Sequence, residues 1–166
     1  MKATNRVVCL TLGFLIVLLA ITGCQPVLKA QPTATLEVIV ENESQCTIES
    51  GPGLGGIPAN DPELGEVTRA VVNIYHIDCG NPYVTEKCID VQDHHVDEEG
   101  VLHFTSMVEC VTDEGGVWKG TCDATIGKSA VCSTKGEGKY KGLQLFTDSD
   151  LNTMVMKYRV TKLAEE

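Results

Sequence analysis

Apolar and polar residues alternate with a period of two along much of this 166-residue chain. The runs are TLEVIVE (35–41), EVTRAVVNIYHI (66–77), VLHFTSMVEC (101–110), GVWKGTCDATI (116–126), GLQLF (142–146) and TMVMKYRVTKL (153–163). Each is rich in Val, Ile, Thr, Tyr or Phe and is bounded by Gly, Asp, Asn or Pro, as half-buried strands joined by turns are. Helical faces repeat every 3.6 residues, and that period is hard to find here. The expected fold is all-β, an antiparallel eight-stranded up-and-down barrel that is disulfide-bonded and follows an N-terminal lipoprotein signal peptide. Hairpin turns are expected around Glu114-Gly115 and Gly127. GPGLGGIPANDPELG (51–65) reads as a long surface loop. Its Gly51-x-Gly53-x-x-Gly56 spacing matches a dinucleotide-binding pattern, but Pro52 sits inside it and no strand–helix unit surrounds it.

The N-terminus carries Lys2 and Arg6, followed by an almost wholly apolar stretch from Val7 to Ile21. A basic start and a short apolar run are the marks of an export signal, and the run is short for a transmembrane helix of roughly 20 residues. It ends in Ile21-Thr22-Gly23-Cys24. This sequence resembles the bacterial lipobox, in which the cysteine becomes the new N-terminus and carries diacylglycerol on its sulfur. The resemblance implies a signal peptide at 1–23 and lipidation of Cys24. Two or more acyl chains anchor stably where one does not, each buried methylene contributing about 0.8 kcal/mol. QPVLKAQPTAT (25–35) has two prolines and few charges, so residues 24–34 read as a lipidated tether and 35–166 as the one folded domain. The expected location is the cell envelope, on the extracytoplasmic face of a bacterial membrane. Gln25 is not the aspartate that retains some lipoproteins at an inner membrane, which favours the outer membrane where the host has one.

Lys2 and Arg6 are the only charged residues before Cys24, so the rest of the chain carries 11 basic against 23 acidic side chains, a formal charge of −12. Phosphate backbones repel such a chain, and nucleic acid is not an expected partner. Six cysteines lie beyond the tether, at 46, 79, 88, 110, 122 and 132. An even number in an exported domain points to disulfides. Cys122 and Cys132 are each five residues from Gly127 and would face one another across a hairpin. Cys79 and Cys88 flank a turn-like GNPYVTEK and could close it, leaving Cys46 for Cys110.

DEEGVLHF (97–104), TDEGGVWKGTCDATIG (112–127) and GEGKYKGLQLF (136–146) carry a further likeness. With Glu99-Gly100, Gly115-Gly116, Trp118, Gly120-Thr121, Gly136, Gly138, Tyr140, Gly142 and Leu143 at the matching positions, the segment resembles bacterial members of the allene oxide cyclase barrel-like group, relatives of the dirigent and cyclase eight-stranded barrels. The likeness covers about residues 97–146 and implies a barrel; no catalytic residue carries over from it. Cysteines 110, 122 and 132 depart from the family's pattern.

No GxSxG, HExxH or P-loop occurs, so no catalytic residue and no cofactor is assigned. Tyr75, His76, Trp118 and Tyr140 are candidate ligand-binding residues, because barrel mouths hold ligands. Trp118 shares strand parity with Cys122 and Ile126, which equally fits an inward core residue. In DVQDHHVDEEG (90–100), His94, His95, Asp93 and Asp97 are candidate metal ligands, set against the plainer reading of an acidic, solvated connection. Alternation would send His94 and His95 to opposite faces of a strand. The sequence therefore leads to a lipid-anchored extracytoplasmic barrel that binds a small apolar ligand or a protein partner. An isomerase or cyclase acting on a hydrophobic substrate in the barrel is the alternative, and a metal-capturing surface lipoprotein the second.

Overall fold

The structure, a computed structural model, describes residues 36–163. The expected signal peptide (1–23), Cys24 and the expected tether (24–34) lie outside the described residues. Ten strands are present: β1 (Val38–Gln45), β2 (Thr47–Ser50), β3 (Ile57–Asp61), β4 (Gly65–Asp78), β5 (Glu86–Val96), β6 (Leu102–Thr112), β7 (Gly116–Thr125), β8 (Ser129–Gly138), β9 (Leu143–Asp150) and β10 (Val155–Lys162). They form one antiparallel sheet ordered β1-β10-β9-β8-β7-β6-β5-β4-β2, with β3 also paired to β4. The sheet curls into a half-barrel. From β4 to β10 every strand pairs with the next in the chain, the up-and-down order expected. The two ends of the order, β1 and β2, are separated in the chain by Cys46 alone.

The hairpin turns fall where glycine was expected to place them. Gly115 and Gly127 take positive φ, 80° and 72°, a backbone region that other residues enter only with strain.

Three features differ from the sequence reading. Ten strands stand where eight were expected, the extra ones being short. The expected 51–65 loop includes β3, because Ile57–Asp61 finds the free edge of β4: Ile57 lies opposite Arg69, and Asp61 opposite Gly65. Finally, DVQDHHV belongs to β5 and is not a solvated connection. Asp90, Gln92 and His94 take the inward positions, a reversal that hides the strand from a search for inward apolar positions.

All three bridges join inward-facing residues on paired segments: Cys46–Cys79, Cys88–Cys110 and Cys122–Cys132. The last is the pair that the spacing around Gly127 indicated. The expected Cys79–Cys88 and Cys46–Cys110 pairs do not form, and register explains why. Cys88 lies opposite Tyr75 on β4 and Cys110 on β6, so Cys79 is four residues past it. Thr47 lies opposite Asp78, which brings Cys46 to Cys79.

The core runs along the inner face. Trp118, Val84 and Val160 are fully buried, and Cys88, Leu145 and Tyr158 nearly so.

Candidate functional site

The inner face encloses a cavity of about 380 Å³. Every strand except β1 and β3 contributes to its wall. Val108, Leu145 and Met156 are typical of the lining, and the Cys88–Cys110 and Cys122–Cys132 bridges lie along it. The volume falls within the range of pockets that hold small organic ligands.

Aromatic side chains close off one part of this space. Trp118 stacks on Tyr140, with ring centroids 4.6 Å apart and planes inclined by 21°. Tyr140 in turn meets Tyr83 at 5.4 Å. Both polar tips are satisfied by the 79–85 turn: Trp118 Nε1 donates to the Tyr83 carbonyl (2.9 Å), and the Tyr140 hydroxyl donates to the Pro82 carbonyl (3.0 Å). Two glycines make the room. A Cβ on Gly116 would fall 2.1 Å from the Tyr140 ring, and one on Gly136 would fall 2.0 Å from the Tyr140 carbonyl oxygen. The glycine-and-aromatic signature at 116–140 is thus the packing of one aromatic plug.

β5 supplies the polar groups. Glu86, Cys88, Asp90 and Gln92 are buried on its inner face, and His94 is half-buried at its far end. Glu86 Oε2 and Asp90 Oδ1 are buried and accept no hydrogen bond from the described residues. Burial pushes the Glu86 carboxyl up to about 8 from its ordinary 4.5, since an ion there would lose its hydration without a counter-charge. Asp90 is also raised by burial, and this is opposed by hydrogen bonds from Gln92 and Asn73. Gln92 Nε2 donates to Asp90 Oδ2 (2.6 Å), and Gln92 Oε1 lies 2.5 Å from His94 Nε2, which then acts as donor. A relay of hydrogen bonds therefore leads from half-buried His94 to Asp90. Tyr75, facing the same space from β4, has its phenol raised by burial and by the Asp90 and Glu86 carboxylates.

Oxygen and sulfur atoms of Glu86, Cys88 and Cys110 come within 4.8 Å of one another, the only His, Cys or carboxylate cluster among the described residues close enough to suggest a metal. Both sulfurs are spent in one disulfide, so no thiolate remains to coordinate an ion.

Of the candidates drawn from the sequence, Tyr75 and Trp118 line the cavity, while Tyr140 lies behind Trp118 in the plug. His76 occupies the other face of β4, at the register position of Glu49 and Lys87. The four candidate metal ligands are dispersed. His94 turns inward, and His95 stacks on His103 outside, with ring centroids 4.9 Å apart. Asp93 binds Arg69 (2.5 Å) and the Ala70 amide (3.0 Å), both next to the β4 bulge where Ala70 takes a φ of 57°. Asp97 binds His103 (2.9 Å) and the Val101 amide (2.8 Å). Hydrogen bonds from these partners hold both carboxyls below the usual carboxylate range.

Glu86, Asp90 and Gln92 were absent from the sequence-based site. One signal for them existed: they share even parity with Cys88, and a cysteine destined for an internal bridge marks the inward face of its strand. No family model, no curated protein and no solved structure matches this chain.

Proposed function

We propose that this protein is a lipid-anchored, extracytoplasmic β-barrel protein that holds a small apolar ligand in its interior. The observation that carries the reading is the apolar cavity of about 380 Å³, walled by eight strands and provided with a few buried polar groups on one side. A barrel built only for stability fills its centre with side chains. The Ile21-Thr22-Gly23-Cys24 sequence supports the anchor, and three disulfides fit an oxidising compartment. We further propose that β1 and β2 act as one bent strand through Cys46, which with β3 left outside gives a closed ring of eight. Pairing of β1 with β10 and of β2 with β4 supports this count. On the same footing stands kinship with the allene oxide cyclase barrel-like group, supported by the glycine-and-aromatic segment between Glu99 and Leu143.

Trp118 is the sole tryptophan and lines the cavity, so its emission reports occupancy. The chain is produced with its signal in an exporting bacterium and analysed by native mass spectrometry before and after denaturation, with Trp118 emission followed in parallel. A small-molecule mass lost on denaturation, with a change in emission, is the expected result. A bare protein whose Trp118 emission responds to no apolar probe overturns the reading. Labelling by radioactive palmitate that disappears in Cys24→Ala tests the anchor.

A second reading, an isomerase or cyclase acting on a hydrophobic substrate, is favoured by one observation. Glu86 is a buried carboxyl that titrates near neutrality beside an apolar cavity, the condition of a general acid or base at physiological pH. Conversion of a bound compound by the wild type but not by Glu86→Gln would establish it.

A further inference from the structure

The cavity is apolar over most of its wall, yet its ionisable groups are all of one kind. Among the lining residues only Tyr75, Glu86 and Asp90 titrate, and none is Lys, Arg or His. The cysteines there are oxidised. From β4 the group facing Glu86 is Tyr75; from β5 they are Asp90 and, through Gln92, His94. The lining positions of β2, β6, β7, β8, β9 and β10 present no titratable group. No cation among the lining residues offsets these acids, His94 reaching Asp90 only through Gln92, and the chain as a whole carries a formal charge of −10.

A ligand for this space must satisfy Glu86 Oε2 and Asp90 Oδ1, both buried without a partner. A fatty acid or other apolar anion would bring a negative charge in beside two buried acids with no lining cation to balance it, at a large cost in a medium of low polarity. An apolar molecule with a protonated nitrogen supplies both what the carboxyls lack and what the walls accept. Asp90 already accepts a hydrogen bond from Gln92 Nε2 at 2.6 Å, whereas no hydrogen bond from the described residues reaches Glu86 Oε2. Glu86 also lies against the Cys88–Cys110 disulfide, within 4.8 Å of its sulfurs, so an apolar surface adjoins the acid.

We propose that the cavity takes an apolar amine, its ammonium group held by Glu86 and its hydrocarbon body packed along the Cys88–Cys110 disulfide towards Trp118. This rests on the ligand-binding reading above and gives that ligand its chemical class. Binding releases the Glu86 proton, because the carboxylate is the form that pairs with an ammonium ion. Affinity for an amine therefore rises with pH while Glu86 becomes easier to ionise. With the free carboxyl at about 8, the increase between pH 6 and pH 8 is tenfold or more, roughly the change in its ionised fraction. An alkyl amine stays protonated throughout this range, so the increase belongs to the protein.

The test uses three probes of one rigid shape, 1-adamantanamine, 1-adamantanol and 1-adamantanecarboxylate. Each is titrated into the disulfide-bonded protein at pH 6 and pH 8, with calorimetry and Trp118 emission as readouts. The expected result is an amine that binds at least about tenfold tighter than the alcohol at pH 8 and loses that advantage at pH 6. The alcohol should be insensitive to pH, and the carboxylate should be the weakest. Glu86→Gln should bring the amine down to the level of the alcohol and leave the alcohol unchanged. An alcohol or carboxylate that equals the amine at pH 8, or an amine preference that survives Glu86→Gln, overturns the proposal while leaving the cavity a ligand site. If none of the probes binds, the ligand-binding reading falls and takes this one with it. Should Glu86→Gln fail to fold, the wild-type pH profile decides, since an amine preference equal at pH 6 and pH 8 excludes Glu86 as its source.

Discussion

β5 and β10 belong to the same sheet and share the same period of two, but they use it in opposite senses. On β10, Met156, Tyr158 and Val160 are buried against the core. Its outward Lys157, Arg159 and Lys162 face Glu43, Glu41 and Glu37 on and beside β1, at 3.8, 2.6 and 2.8 Å. On β5 the buried positions hold Glu86, Asp90 and Gln92, while Ile89 and Val91 stand outside at 53% and 43% exposure. β10 thus follows the pattern that stabilises a barrel. Burying a carboxyl without a partner costs free energy, and an isoleucine left in water contributes none. A strand that does both departs from the local rules of stability, and such departures concentrate at functional sites.

If β10 is a stability strand, truncating its inward residues should carry the largest penalty. Tyr158→Ala should cost about 3–5 kcal/mol by denaturant unfolding. Tyr158→Phe should cost nothing or add stability, because the Tyr158 hydroxyl is buried without a partner. A large loss in Tyr158→Phe would show that the hydroxyl has a role and blur the contrast with β5.

The next effect tests what holds β5 in place despite its polar interior. The Cys88–Cys110 bridge ties it to β6 across a separation of 22 residues. Replacing both cysteines by serine should lower stability by about 3 kcal/mol, the chain entropy returned to the unfolded state. Removing Cys122–Cys132, whose separation is 10, should cost somewhat less. The opposite ranking would mean that native packing around the bridges outweighs loop entropy.

Glu86 should impose a pH dependence on stability. Its carboxyl titrates at about 8 in the folded state, above the ordinary 4.5. Below pH 4.5 both states hold the proton. Between 4.5 and 8 the unfolded chain loses it first, so this group's contribution falls steadily as pH rises and levels off above 8. Glu86→Gln should remove that slope and be more stable than wild type by a few kcal/mol at pH 8, with a much smaller difference at pH 4. Parallel stability curves for the two proteins between pH 4 and pH 8 would contradict the burial of an unpartnered acid.

The outward residues should have the smallest effects. Ile89→Thr and Val91→Thr should change stability by less than about 0.5 kcal/mol, being exposed in the folded and unfolded states alike. Breaking the Arg159–Glu41 pair with Glu41→Gln should cost no more than about 1 kcal/mol and vanish in high salt. A larger loss on the β5 face would show that Ile89 and Val91 are covered in the protein's working state. Met107, opposite Val91 on β6 and 73% exposed, would then be the next residue to replace.

How much of this was legible in the sequence follows from the same contrast. β4, β6, β7, β9 and β10 carry mostly apolar or small uncharged residues at inward positions, and their alternation is plain in the chain. β5 and β8 were obscured, β5 by its inward acids and β8 by the small residues and glycines of SAVCSTKGEG. The plug was half legible. Trp118, Gly116, Gly136 and Tyr140 stand out by type, but their convergence on the 79–85 turn depends on contacts across 35 and 58 residues. Disulfide pairing was readable only where a hairpin made it local, at Cys122–Cys132.

What the sequence determined by itself is the class of structure. A period of two, glycines at turns and six cysteines beyond Cys24 fix an all-β, antiparallel, disulfide-bonded sheet, since strand pairing and turn chemistry are local and repeat along the chain. What the tertiary structure alone decided is which acids lie inside. Glu86 and Asp90 look like solvated charges in the sequence, and only the register of β4, β5 and β6 shows that they face a cavity whose lining residues include no cation. Register is set by every pair in the sheet at once, and a shift of one residue would have turned the same acids out to water.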